Sequence, residues 1–283
     1  MRGLLGFDFF RARSLQDAWQ AVAGRPAAAF LAGGTDVLVK LKMGTIRSPL
    51  LVSLKGINEL KGIVEVEDGI EIGALTTIDE IVHSPLIFDK CPLLHSAARH
   101  FGSNQVRNLA TVGGNLCNAS PAGDLSVALM CLNGEVKVDG PEGTARVALT
   151  QFFQGPGLTH LKARNIVTSI FIPGSKGDWS WRFLKLGRRN GMEIAIVNLA
   201  LGIHRHEGIC KEARIALGAV APTPIRAQRA EQDMTGKRID EKSIEQVACL
   251  AAQESKPISD VRASAEYRKE MVTNLTRRAL STL

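Results

Sequence analysis

Asn108-Leu109-Ala110-Thr111-Val112-Gly113-Gly114-Asn115-Leu116-Cys117-Asn118 sets a pair of glycines after a short apolar run and surrounds them with amide and hydroxyl side chains. A second phrase of the same kind stands at Phe30-Leu31-Ala32-Gly33-Gly34-Thr35-Asp36. Glycine has no Cβ and adopts positive φ at little cost, so successive backbone N–H groups in such a segment can converge on an anion. Each N–H given to a charged phosphate oxygen contributes about 1.5–3 kcal/mol. Two such loops could therefore hold a pyrophosphate without any lysine. Asp36 would repel that charge unless it turns away to cap the helix that follows. A pair of tight turns accounts for the same residues, and local chemistry alone does not choose between the readings.

Outward from the earlier phrase, residues 14–24 predict a helix: Ser14 can cap it, and Leu15, Ala18, Trp19 and Val22 share one face. Ala28 to Ala32 reads as a short strand delivered into Gly33-Gly34. Asp36 to Met43 reads as a short helix with Lys40 and Lys42 outside, and Leu50 to Leu54 as the next strand. From Ile63 the period changes to a hairpin, Ile63 to Val66 and Ile70 to Gly73, around Glu67-Asp68-Gly69. Short helices are expected over Thr77–His83 and Leu93–Phe101, and one from Asp124, which could cap it, to Leu132. Strands are expected over Glu135–Val138, Ala145–Leu149 and Ile166–Ile172.

Gly174 to Asp178 is the best linker candidate. Beyond it come three strand-like runs, Trp181–Leu186, Ala195–His204 and Ala213–Val220, of which the second carries a lone Asn198. Ala221-Pro222-Thr223-Pro224 breaks the pattern, and the remainder reads as helices over roughly 225–234, 241–253 and 261–281. A three-stranded meander followed by helices is an α+β pattern.

Composition narrows the classes. No apolar run approaches the ~20 residues that cross a bilayer. Leu4, Leu5 and Phe7 are followed at once by Asp8 and Arg11, so no signal segment is read and a cytoplasmic location is expected. Five scattered cysteines without a C-x-x-C pair predict reduced thiols, with Cys117 packed rather than liganding, and no cluster or metal in this chain. The net charge of +7 fits an acidic partner or a phosphate-bearing ligand, and equally a solvated surface; with only 5% aromatics, a base-stacking surface is poorly supported. There is no G-x-G-x-x-G, no G-x-x-x-x-G-K-[ST], no H-E-x-x-H and no G-x-S-x-G.

Taken together, Leu31-Ala32-Gly33-Gly34-Thr35-Asp36-Val37-Leu38, Gln105-Val106-Arg107-Asn108, Ala110 to Asn115, Asn118 to Asp124 and Lys185 to Ala195 resemble the FAD-binding (medium) subunit of the xanthine dehydrogenase and carbon monoxide dehydrogenase family of molybdenum hydroxylases. The resemblance spans nearly the whole chain. Gly218 to Arg226 and Arg262 to Arg268 look most like the bacterial xanthine dehydrogenase flavin chain. No cysteine-bearing insertion like that of the related 4-hydroxybenzoyl-CoA reductase is present.

That resemblance implies an α+β protein: a vanillyl-alcohol-oxidase (PCMH)-type fold of two α+β subdomains, over 1–55 and 56–173, gripping FAD, with a C-terminal α+β domain over 178–283. It implies that Leu31, Ala32, Gly33, Gly34, Thr35, Asp36, Val37 and Leu38 cradle the pyrophosphate. Thr111, Val112, Gly113, Gly114 and Asn115 would form the second loop. Asp124 would accept hydrogen bonds from cofactor hydroxyls, Val167 would lie against the cofactor, Lys185 near the flavin's polar edge, and Phe101 near the flavin or adenine. Molybdopterin in a large partner and [2Fe–2S] clusters in a small partner would feed electrons to FAD here, and NAD⁺ or another acceptor would take them. FAD carries that chemistry, so no catalytic side chain is expected. Flavin subunits of aldehyde, carbon monoxide or aromatic acyl-CoA enzymes are the alternatives within the family. A self-contained flavin oxidase and a flavin-free assembly subunit are the alternatives outside it.

Overall fold

A computed structural model of the chain describes residues 6–189 and 191–283; Met1 to Leu5, including the Leu4 and Leu5 of the terminal reading, and Asn190 of the Lys185–Ala195 stretch lie outside the described residues. Ser14 does cap the first helix, Leu15–Val22, its hydroxyl accepting from the Asp17 N–H, while the Asp17 carboxylate accepts from Arg13 N–H instead of closing a box. The strands Asp8–Arg11, Leu50–Ser53 and Ala29–Leu31 form a parallel sheet with 50–53 in the centre. The first of these, exposed along all four residues, shows no alternation by which it could have been read. Ala29–Leu31 delivers the chain into Gly33-Gly34, and the helix Val37–Met43 follows, ended by Gly44 at φ 73.

A second, antiparallel sheet runs in the order 63–66, 69–73, 166–173, 135–140, 143–148. Several of its helices begin on side-chain caps. Thr77 and Glu80 form a reciprocal capping box for Ile78–His83. Ser84 ends that helix and caps the next, Pro85–Lys90, with Pro85 in the first turn where its missing N–H costs nothing. Pro92–Arg99, Asn104–Arg107, Val112–Asn118 and Asp124–Cys131 complete the layer. All eight residues of Asp124–Cys131 are buried. Each large apolar side chain so placed contributes roughly 1.5–3 kcal/mol.

The third sheet is antiparallel and has four strands, not three: Trp179–Leu186, Val197–His206, Ile209–Gly218 and the two-residue Ile225–Arg226. Pro222 and Pro224 delay the following helix to Gln228–Met234, so the strand takes residues expected to be helical. Glu241–Glu254 and Ala265–Ser281 start on Asp240 and Ser264. Strand Val197–His206 is buried on both faces. Val197, Leu199, Leu201 and Ile203 pack with the C-terminal helices, whereas Ala200 joins the core around helix 124–131. Asn198 and Gly202 share Ala200's face by the two-residue period of a strand.

Candidate functional site

An elongated cleft of ≈ 1150 Å³, including its open mouth, is lined by Ala32 to Val37 on one wall and by Ala110, Thr111, Gly113, Gly114 and Asn115 on the other. The walls touch at the base. A Cβ on Gly33 would lie 2.0 Å from the Leu109 carbonyl oxygen, and one on Gly114 would lie 3.7 Å from Ala32 Cβ.

The first wall keeps its donors free. Among the described residues, the N–H groups of Gly33, Gly34, Thr35, Asp36 and Val37 make no hydrogen bond; the helical series starts with Leu38 N–H to Gly34 O and Lys40 N–H to Asp36 O. Gly34 has φ +85, which permits this path. Free donors at a loop running into a helix form an anion site. Asp36 lines the cleft and holds the cap position, but its side chain makes no capping bond, contrary to the sequence expectation.

The second wall is different from the expected loop. Thr111 is the N-cap of helix Val112–Asn118, and the glycines form its first turn. Val112 N–H donates to Thr76 O, Gly113 N–H to Ala74 O, Gly114 N–H to the Thr111 hydroxyl oxygen and Asn115 N–H to Thr111 O. No backbone donor from 112 to 115 is left for a ligand. Gly113 is glycine because a Cβ would fall 2.6 Å from that of Ala74. What this wall offers is side chains: the Asn115 Oδ1 atom is buried without a partner among the described residues. A buried polar atom of that kind costs about 1–3 kcal/mol until something binds it.

Lys40 lines the cleft, although its helix position read as outside; its Nζ donates to Asn118 Oδ1 at 2.6 Å and links the two walls. A cation therefore stands beside the free N–H groups. Cys117 also lines the cleft rather than packing in the core. Of the remaining residues expected here, Leu31, Leu38 and Val112 are not in the lining. Leu31 is buried with its carbonyl accepting from Leu54 N–H, Val112 belongs to the core, and Leu38 is 40% exposed.

The rest of the lining includes an apolar group, Phe101, Val167, Ile166, Leu161, Leu75 and, against Gly113, Ala74, together with Asn165. Asp124 and Lys185 are not in the lining either; they form their own buried ion pair at 2.5 Å, with side chains 6% and 10% exposed. Lys185 Nζ also donates to the carbonyl of His100, the residue before Phe101, at 3.2 Å. Asn198 Nδ2 donates to the second Asp124 oxygen at 2.7 Å. Asp124 is the first helical residue and Gly123 is the cap, which leaves its carboxylate for this network. Burial raises the Asp124 carboxyl above its ordinary value, against the pull of the Lys185 ammonium and the Asn198 amide. Asn198 could have been found in the sequence only as a lone amide in an apolar run. Among the described residues no cluster of metal-ligating side chains occurs.

The cleft thus joins an anion cradle with an adjacent lysine to an apolar slot, the complement of a pyrophosphate carrying a planar ring, and its residues fit FAD. Two family models divide the chain: "FAD binding domain in molybdopterin dehydrogenase" matches residues 5–175, and "CO dehydrogenase flavoprotein C-terminal domain" matches 182–283. The chain is 33% identical to the glyceraldehyde dehydrogenase medium chain of Sulfolobus acidocaldarius over 96% of each chain. It is also 33% identical to a putative xanthine dehydrogenase FAD-binding subunit of Escherichia coli K12, covering 97% of this chain and 96% of that one. A carbon monoxide dehydrogenase structure from Hydrogenophaga pseudoflava superimposes with a TM-score of 0.96 at 29% identity, over 99% of this chain and 98% of that chain.

Proposed function

Because the chain belongs to the FAD-binding subunits of the molybdenum hydroxylase family, we propose that it passes electrons from the [2Fe–2S] clusters of a small partner, supplied by a molybdopterin-bearing large partner, to NAD⁺ or another acceptor. FAD, when bound, supplies the redox chemistry, taking up electrons and releasing them as a pair or singly. The observation that carries this reading is the run of unspent N–H groups from Gly33 to Val37 in the same cleft as the Phe101–Val167 slot.

In this reading Gly33 to Val37 and Lys40 neutralise the pyrophosphate, and Asn115 uses its buried oxygen on a cofactor hydroxyl or amide. Phe101 and Val167 would hold the ring and exclude water from it. Lys185, with its charge balanced by Asp124, sits behind Phe101 and sets the electrostatics at that end. Residues 1–55 and 56–173 act as the two halves that grip the cofactor, and 178–283 covers them. None of the described helices is long and apolar enough to cross a membrane, and the cytoplasm is the proposed location.

Xanthine and an aldehyde are equally supported as the substrate class of the assembled enzyme, since relatives named for each stand at 33% identity. A self-contained oxidase is less favoured: the only carboxylate in the described cleft lining is Asp36, at the cradle end, and no histidine lines it. The test is to purify the full chain and reconstitute it. Stoichiometric FAD and no turnover of purine or aldehyde without partner chains are expected, and flavin reduction by NADH decides between NAD⁺ and another acceptor. Substrate turnover by this chain alone would overturn the subunit reading.

A further inference from the structure

Arg268 is a nearly fully buried arginine on the last helix, 3% exposed, and among the described residues none of its hydrogen-bond partners lines the cleft. Its Nη1 donates to the carbonyls of Ile196 at 2.6 Å and Ala219 at 2.9 Å, and its Nη2 to Asp260 Oδ1 at 2.8 Å. Burying a guanidinium is costly unless its donors are used. Here two donor bonds go to backbone oxygens and one to Asp260, while Nε has no partner among the described residues; both backbone oxygens lie at strand ends that lead to the Asp124–Lys185 pair.

From Ile196 the path is short. Ile196 N–H donates to Leu186 O at 2.8 Å, so the residue is pinned through both its backbone groups. Two residues on, Asn198 stands opposite Lys185 in the strand register. These two side chains hold the two oxygens of Asp124, Asn198 at Oδ1 and Lys185 at Oδ2. From Ala219 a second path returns to the same carboxylate. Ala219 has a left-handed φ of 61, which a residue with a Cβ adopts at a cost, and its N–H donates to Pro121 O, in the turn that leads into Asp124. Gly218, beside it, approaches so closely that a Cβ would lie 2.1 Å from Asn198 Oδ1. A shift at either strand end therefore reaches the pair.

We infer that Arg268, held by Asp260, is a positioning residue for the flavin end of the cofactor site, acting through Ile196 and Ala219 on the Asn198–Asp124–Lys185 network. The inference rests on the proposed position of that pair at the flavin. Burial would raise the Asp260 carboxyl, but the N–H of Arg262, the Arg268 guanidinium and the N–H of Ala263 together hold it down at about 2. Asp260 therefore remains the anionic counterpart of Arg268 across the pH range in which flavoproteins are handled. A lysine at 268 would keep the charge but lose the planar fork that reaches separate oxygens.

The test compares four variants of the full chain by FAD dissociation constant, flavin midpoint potential and thermal midpoint. Lys185→Met reports whether the pair acts on the flavin. Arg268→Lys is expected to weaken FAD binding by less than Lys185→Met does and to move the potential in the same direction as Lys185→Met, by less. Asp260→Asn should do the same more weakly, and it carries the test if Arg268→Lys does not fold. Val272→Ala, a core truncation on the same helix, should lower the thermal midpoint and leave the potential alone. An unchanged potential in Lys185→Met overturns the position of the pair and the inference with it. A shifted Lys185→Met beside an unshifted Arg268→Lys, or an unshifted Asp260→Asn where Arg268→Lys is unfolded, overturns the role of Arg268 alone.

Discussion

From Gly33 to Val37 five consecutive residues line the cleft with N–H groups that nothing in the described chain engages, whereas from Val112 to Asn115 all four N–H groups are already spent inside the chain. The dipeptide is the same and its two uses are opposite. At Gly34 the absent Cβ permits a positive φ, so the backbone can offer donors. At Gly113 it permits contact, letting a helix lie against Ala74. A pair of glycines in sequence therefore signals that a Cβ is excluded, and says nothing about whether a ligand or another piece of chain excludes it.

Substitution by alanine should separate these uses. Gly33→Ala should have the largest effect, because the new methyl meets the Leu109 carbonyl at 2.0 Å and the two walls must part. Overpacking against backbone costs about 3 kcal/mol, so denaturant unfolding should show that loss together with loss of flavin absorbance. Gly34→Ala and Gly114→Ala form the middle pair. The first adds ~1–2 kcal/mol of backbone strain at φ +85 and should lose FAD. The second is free of that strain, since Gly114 is helical; helix propensity gains about 1 kcal/mol there against crowding of the Thr111 hydroxyl at 2.9 Å. It should lose FAD with little change in stability. Equal destabilisation by the two would break the distinction between donor and spacer.

Lys40→Met should have the smallest effect. It removes the bond to Asn118 and the one cation in the described cleft lining, so FAD should bind several-fold more weakly, with a reduced dependence on salt. A salt dependence unchanged from the parent chain would return Lys40 to the solvent-facing role its helix position first implied.

Much of the frame could be read because its signals are local. Ser14 caps the helix it was expected to cap, and the helices expected from Thr77 and from 241 start on a Thr77–Glu80 capping box and on Asp240, whereas helix Pro85–Lys90 on Ser84 went unread. The hairpins follow from alternation and turn residues. Helix 112–118 was hidden for the opposite reason: adjacent glycines have poor helix propensity, and the bonds that hold its first turn come from Thr76 and Ala74, distant in sequence. The open backbone at Gly33 to Val37 was legible, because paired glycines mark it in the sequence. The ion pair was only half legible. Asp124 and Lys185 stood in recognisable phrases, but Asn198, the second donor to Asp124, and the absence of the pair from the cleft lining depend on how the third sheet packs against helix 124–131.

That packing bears on where the polypeptide could be divided. The match boundary between residues 175 and 182 suggests two modules joined by a short tether. Yet Phe183, Ala200 and Ala216, all beyond the tether, complete the core around helix 124–131, whose eight residues have no exposed face. A fragment ending at the tether would present that helix to water along one side, and its own sequence offers no polar stripe to receive solvent. The full chain is therefore expected to unfold in a single thermal transition, and a fragment ending at the tether to be less stable than the same residues in the full chain.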